Sequence, residues 1–370
     1  MKTRLVINAC SLVSLLFLVS LDSCARAPYS IGFIGPMTGP SANIGVEGYR
    51  GFTMAVEEAN AGGGVHGRQV VVHMLDDQSN PDACLAAAKE LVGKGVAVLV
   101  LHTTSGAAAG ALPWLLEQDV LVVSRTVSDP AWEGLDDNFL RFVGSTELFG
   151  QPLGVFAASR MCSKIGIVVD ALNAGFADSM AAGFLRTVGG IPVIGRKELD
   201  SDWSPEAVAA WVMGLDVDGV FAVLSGLEAA RLAQALERSG FAGDLYLSPW
   251  SQDHNLLNYA GRLASRIFLA SSFNPDDPSE GYQEFRARHE AIYADAPVMS
   301  GVFGYEIASF ILEGIKVARR PEAGSLKKAL MGARYFNGLQ YGFTLDANGD
   351  AELQSLVIGI RDGVFVPVGE

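Results

Sequence analysis

Two clusters of hydroxyl side chains stand at the ends of apolar runs, where short polar residues can converge on one anion. His102-Thr103-Thr104-Ser105-Gly106 follows the wholly apolar run 96–101, and Ser124-Arg125-Thr126-Val127-Ser128 closes the run 120–124. A helix is expected over 107–118. Its first backbone N–H groups and the positive end of its dipole would then face the first cluster. Serine and threonine hydroxyls beside such an end complete a cradle for a carboxylate. The same residue types also cap helices, and for Ser105 the two roles are compatible.

Other chemistries find little support. The cysteines Cys10, Cys24, Cys84 and Cys162 show no C-x-x-C spacing, and the five histidines are scattered without an H-E-x-x-H, so no metal site is expected. Gly62, Gly64 and Gly67 meet G-x-G-x-x-G by count, but they follow a helical pattern and precede a strand, the reverse of a dinucleotide site. Asp76-Asp77 reads as a solvated turn, since neighbours on a strand end point apart. In Asp346-Ala347-Asn348-Gly349-Asp350 the glycine is fourth, and Val357 holds the twelfth place of a calcium loop, so a hairpin turn is expected. No P-loop or nucleophile elbow occurs, and no cofactor is called for. An enzyme would need an acid–base pair brought together only by the fold, and the reading is of a binding protein. A formal net charge of −14 without a basic cluster argues against nucleic acid as a partner.

Positioning these residues is the task of an alternating βα chain. Strands are expected over 29–35, 69–75, 96–101 and 120–124, then over 165–169, 193–199, 220–224, 245–248 and 267–273. Helical spacing separates them, with Asn80-Pro81 as a cap and first turn. Continuous apolar strands suit parallel sheets covered on both faces. The expected fold class is therefore α/β, with two doubly wound parallel sheets in a chain of 370 residues. The C-terminal part changes character, with runs 339–345 and 353–360 flanking the Asn348-Gly349 turn as antiparallel strands.

The N-terminus reads as an export leader over 1–23. Lys2 and Arg4 precede an apolar run, 12–21, too short for a comfortable membrane span. Leu21-Asp22-Ser23-Cys24 resembles the bacterial lipoprotein processing box, with Asp22 as a departure. The resemblance implies acylation of Cys24, a membrane-bound protein and a periplasmic or cell-surface location. Cys84 and Cys162 would fall in different lobes and are expected as free thiols.

Ile31-Gly32-Phe33-Ile34-Gly35-Pro36-Met37-Thr38-Gly39-Pro40 resembles the opening of periplasmic leucine/isoleucine/valine-binding proteins. The likeness continues through Gly45-Val46-Glu47-Gly48, Gly51-Phe52, Ala55-Val56-Glu57-Glu58-Ala59-Asn60, Gly63-Gly64-Val65-His66-Gly67-Arg68, Asp76-Asp77 and Asn80-Pro81. It is close over the first 130 residues and looser beyond. It implies the type I periplasmic-binding fold, with lobes of 29–146 plus 273–354 and 147–272 plus 355–370 joined by a three-strand hinge. It also implies capture of an amino acid or related small carboxylate in the cleft for an ABC transporter permease. A sensor using the same cleft is the alternative role.

By the resemblance, the positions of Ser105, Thr126 and Ser128 hold the main-chain end of an amino acid, Thr126 through backbone, with Thr104 beside them. Ser79 and Thr104 stand where the family has a disulfide. The second lobe departs from the pattern. Trp250 replaces the acid that pairs with a ligand ammonium, and Asp253 is the nearby substitute. Ser225 and Ala174, beside Phe176, replace tyrosines. Two readings of Trp250 stay open, an aromatic wall of the pocket or ordinary core. The ligand is correspondingly open between an amino acid and an aromatic or other organic acid.

Overall fold

The computed structural model describes residues 27–318, 322–333, 335–353 and 355–368. The expected leader and Cys24 lie outside these residues. Apolar runs and capped helices alternate as β1 (Tyr29–Gly35), α1 (Ala42–Ala61), β2 (Val70–Asp76), α2 (Pro81–Gly93), β3 (Val98–Leu101), α3 (Ser105–Leu115), β4 (Leu121–Ser124) and β5 (Phe139–Arg141). The five strands form one parallel sheet in the order β2-β1-β3-β4-β5. β3 and β4 are buried along their whole length, as strands covered on both faces must be.

A second series follows: α4 (Thr146–Ser159), β6 (Ile165–Asp170), α5 (Ala174–Thr187), β7 (Val193–Leu199), α6 (Pro205–Gly214), β8 (Gly219–Val223), α7 (Gly226–Arg238), β9 (Asp244–Leu247), α8 (His254–Tyr259) and β10 (Ile267–Ser271). Then come α9 (Glu280–Tyr293), α10 (Met299–Ala318), α11 (Ala323–Gly332), β11 (Phe336–Asn337), β12 (Gly342–Phe343), β13 (Leu356–Arg361) and β14 (Val364–Pro367). The second sheet runs β14-β13-β10-β9-β8-β6-β7, with β13 and β14 antiparallel to their neighbours.

Each sheet has its own two cores. Alternate residues of the first sheet pack on α1, α10 and α11, and the others on α2 and α3. The second sheet packs on α6, α7 and α8 from one side and on α4 and α5 from the other. The chain leaves the first sheet after β5, returns after β10 to pack α10 and α11 against it, and crosses to the second sheet at β13. In both sheets the strand order reverses, between β1 and β3 and between β6 and β8. Such switch points open a crevice beyond the carboxyl ends of the strands.

Several expectations need correction. Runs 339–345 and 353–360 do not pair with each other. Instead β12 pairs with β11, and β13 with β10 and β14. One bridge, Leu345 to Ala351, closes the turn. Asp346 Oδ1 accepts the N–H groups of Asn348, Gly349 and Asp350, and Asp350 pairs with buried Arg141 at 2.8 Å. That ion pair pins the turn to β5, and the chain past it crosses to the other sheet. Asp77 is fully buried rather than solvated, and desolvation pushes its carboxyl up to about 6. Cys84 and Cys162 are free, as expected.

Candidate ligand-binding site

The carboxyl ends of both sheets meet around a cavity of about 80 Å³. The first sheet supplies its residues after β3 and β4, the second those after β6 and β9. The starts of α1 and α10 close one side with Asn43, Ile44, Met299, Ser300 and Phe303. These two helices cross closely because glycines face each other. A Cβ on Gly304 would lie 1.9 Å from the Gly48 carbonyl oxygen, and one on Gly51 1.9 Å from that of Gly301. His102 locks the same crossing to the sheet. Ser300 donates its hydroxyl to Ile44 O at 2.6 Å, so His102 Nε2–H donates to Ser300 Oγ at 2.8 Å. Burial, with help from the Arg125 charge, pushes His102 down to about 3 and keeps it neutral.

Ser105 is the centre of the hydroxyl cradle. Its Oγ accepts the N–H groups of Ser128 and Asp129, each at 3.2 Å. With its lone pairs so engaged, its own proton is left to donate into the cavity. Ser128 Oγ sits 2.8 Å from Thr146 Oγ1, which also reaches Ser128 O at 2.5 Å. Thr104 caps α3 by accepting Ala107 N–H at 3.2 Å. Thr104, Ser105, Thr126 and Ser128 all line the cavity.

Two details differ from expectation. Thr126 N–H donates to Ser124 Oγ at 3.1 Å, and its hydroxyl to Thr103 O at 2.9 Å, so both donors are engaged in the local turn. The Gly106 N–H of α3 donates to Asn173 Oδ1 at 2.9 Å, a bond between the two lobes. The cradle therefore relies on hydroxyl protons more than on amides at the helix start.

Across the cavity, Phe176 and Trp250 stand edge to face with centroids 6.3 Å apart, and both line the cavity. Trp250 is thus an aromatic wall, and Phe149 and Phe303 add further apolar surface. Ser225 lies outside the lining. Its hydroxyl donates to Glu228 Oε2 at 2.7 Å, while Glu228 also accepts Ser225 N–H, a capping box at the start of α7. Ala174 is likewise absent from the lining, and its neighbour Asn173 takes the place.

Arg125, Asn173, Gln252 and Asp253 add to the polar lining, with Thr103 and Ser272. Arg125 is 3% exposed, pairs with buried Glu306 at 2.6 Å, donates to Phe142 O at 2.6 Å and lies over the Phe303 ring. Its signal in the sequence is an arginine inside the second hydroxyl cluster, directly after an apolar strand. Asp253 Oδ1 accepts Leu256 N–H at 3.0 Å as the cap of α8, and burial pushes its carboxyl up to about 6. Among the described residues no cluster of histidine, cysteine and acids could hold a metal ion, and no helix is long and apolar enough to cross a membrane.

The profile described as periplasmic binding protein matches residues 28–360. The Leu/Ile/Val-binding protein homolog 3 of Brucella melitensis is 32% identical over 169 residues, 44% of this chain and 46% of that protein. The chain thus matches less than half the length of this relative. Homolog 1 of Brucella abortus is 22% identical over 357 residues, 94% of each chain. Among solved structures, a leucine binding protein from Thermotoga maritima superposes with a TM-score of 0.84 at 20% identity, covering 92% of this chain and 97% of the other. A solute binding protein of an ABC transporter from R. palustris, in complex with benzoate, gives 0.83 at 21% identity, with 92% and 96% covered. These structures share the two-lobed type I fold described above. With a matched profile along most of its length and this architecture, the chain belongs to the periplasmic binding protein family, and the relatives it matches are ligand-binding proteins rather than enzymes.

Proposed function

We propose that this chain is the extracytoplasmic solute receptor of an ABC transporter and captures a small carboxylate between its lobes. The observation that carries the reading is Ser105, whose two accepted N–H bonds leave its hydroxyl proton to donate into the cavity between the sheets. Thr104 and Ser128 flank it there. Relatives of the same fold support a carboxylate. One from Streptococcus pneumoniae holds isoleucine and the R. palustris protein holds benzoate, and these ligands share that group.

In this reading residues 29–146 plus 273–354 form one moving body, and 147–272 plus 355–370 the other. Ligand bridging them favours the closed form by its differential affinity for it. A permease reads the closed surface, while the leader over 1–23 directs export and acylated Cys24 holds the protein at a membrane. A thermal-shift screen of the purified protein against amino acids and organic acids tests the proposal. A ligand at a hundred times its Kd should add about 2.7 kcal/mol of stability, a clear rise in Tm. A broad panel of small carboxylates that leaves Tm unmoved would overturn it.

A further inference from the structure

The second-lobe wall of the cavity carries hydrogen-bond donors without acceptors. Gln252 is 3% exposed, and its Oε1 accepts the Ser271 hydroxyl at 2.5 Å. Its Nε2 is buried and unpartnered, as is Trp250 Nε1, and both residues line the cavity. A buried donor left unpaired is destabilising, so a fitting ligand supplies an acceptor at this end. Asp253 is the only acid in the lining among the described residues. Both its oxygens already accept, Oδ1 from Leu256 N–H and Oδ2 from Asn255 Nδ2 at 3.3 Å.

An α-ammonium brings donors alone. Against this wall it would meet two further donors and would share its one counter-anion with the start of α8. A hydroxyl on a flat ring brings an acceptor for Gln252 or Trp250 and a single donor, which asks less of the engaged Asp253 than the three donors of an ammonium. The ring itself suits the walls of Phe149, Phe176, Trp250 and Phe303.

We propose that the ligand is an aromatic monocarboxylate without an α-ammonium, bearing a ring hydroxyl that meets Gln252 and Trp250 while its carboxylate lies in the Ser105 cradle. This inference rests on the carboxylate-receptor reading. Calorimetric titration with benzoate, 4-hydroxybenzoate, leucine and phenylalanine tests it. The expected order places 4-hydroxybenzoate roughly tenfold tighter than benzoate, and both above the two amino acids. Gln252→Met removes the donor at similar side-chain length. It should collapse the hydroxyl's advantage, read as the ratio of the two affinities, to about twofold. Trp250→Phe, which keeps an aromatic ring, should narrow the same ratio and serves if Gln252→Met fails to fold. Tighter binding of leucine or phenylalanine, or an unaltered ratio in both variants, overturns the inference and leaves the receptor reading intact. Binding of none of the four also overturns it, and failure of the wider carboxylate panel then removes the receptor reading too.

Discussion

Ser105 and Ser225 look alike in the sequence, each a serine just beyond an apolar strand and just before a helix. Their surroundings separate them. Ser105 Oγ is an acceptor for two N–H groups and faces the cavity, whereas Ser225 closes a capping box with Glu228. Ser105→Ala should therefore weaken carboxylate binding by about 1.5–3 kcal/mol, the usual cost of a hydrogen bond to a charged group. Ser225→Ala should leave affinity unchanged and lower stability by about 0.5–2 kcal/mol through the lost cap. Calorimetry and chemical denaturation on the two variants distinguish the roles. The first-lobe cradle was legible because its residues follow two adjacent parallel strands closely. Arg125, Asn173 and Gln252 were not, since each depends on which side chains from distant segments meet. Thr126 lines the cavity, but its donors turn inward to Ser124 and Thr103, a local choice invisible in residue type.

At the scale of elements, the α1–α10 crossing and the α8 cap govern how the cavity is held. Gly304 has no room for a side chain against Gly48, so Gly304→Ala should destabilise the fold by about 1–3 kcal/mol, measured by urea denaturation. Asp253 gives a pH-dependent effect. Its native carboxyl is raised to about 6 by burial, above the unfolded value of about 3.9. The native state thus holds this proton more tightly. Its contribution to stability is complete below the unfolded value and is lost as pH rises through about 6. The substitution Asp253→Asn removes the titrating group and keeps a side-chain oxygen that can cap α8. The stability of this variant relative to wild type should rise by on the order of 1–2 kcal/mol between about pH 4 and 7.5, followed by Tm across that range. The long βα elements were readable from apolar runs and caps. The three-residue β5 and the short α8 were not, because so few residues establish no period. The misread hairpin has the same origin. A strong turn signal at Asn348-Gly349 says nothing about which strands its flanks join.

The whole molecule has its two lobes in contact. Asn173 of the second lobe accepts the Gly106 N–H of the first, and a Cβ on Gly106 would come within 2.2 Å of Leu172 O. Under the proposed receptor reading, closure would use the same helix start that borders the cradle and so tie ligand capture to the approach of the lobes. The two-sheet architecture was evident from the strand–helix alternation. The contact between lobes was not, because it joins residues 67 positions apart that share no local pattern. Small-angle X-ray scattering during titration with a binding carboxylate tests the central claim most directly. The radius of gyration should fall to that of the closed form, and the double variant Ser105→Ala/Ser128→Ala should require roughly tenfold more ligand, or beyond, for the same fall. Scattering that stays constant at saturating ligand, or a double variant that closes at the wild-type concentration, would contradict it.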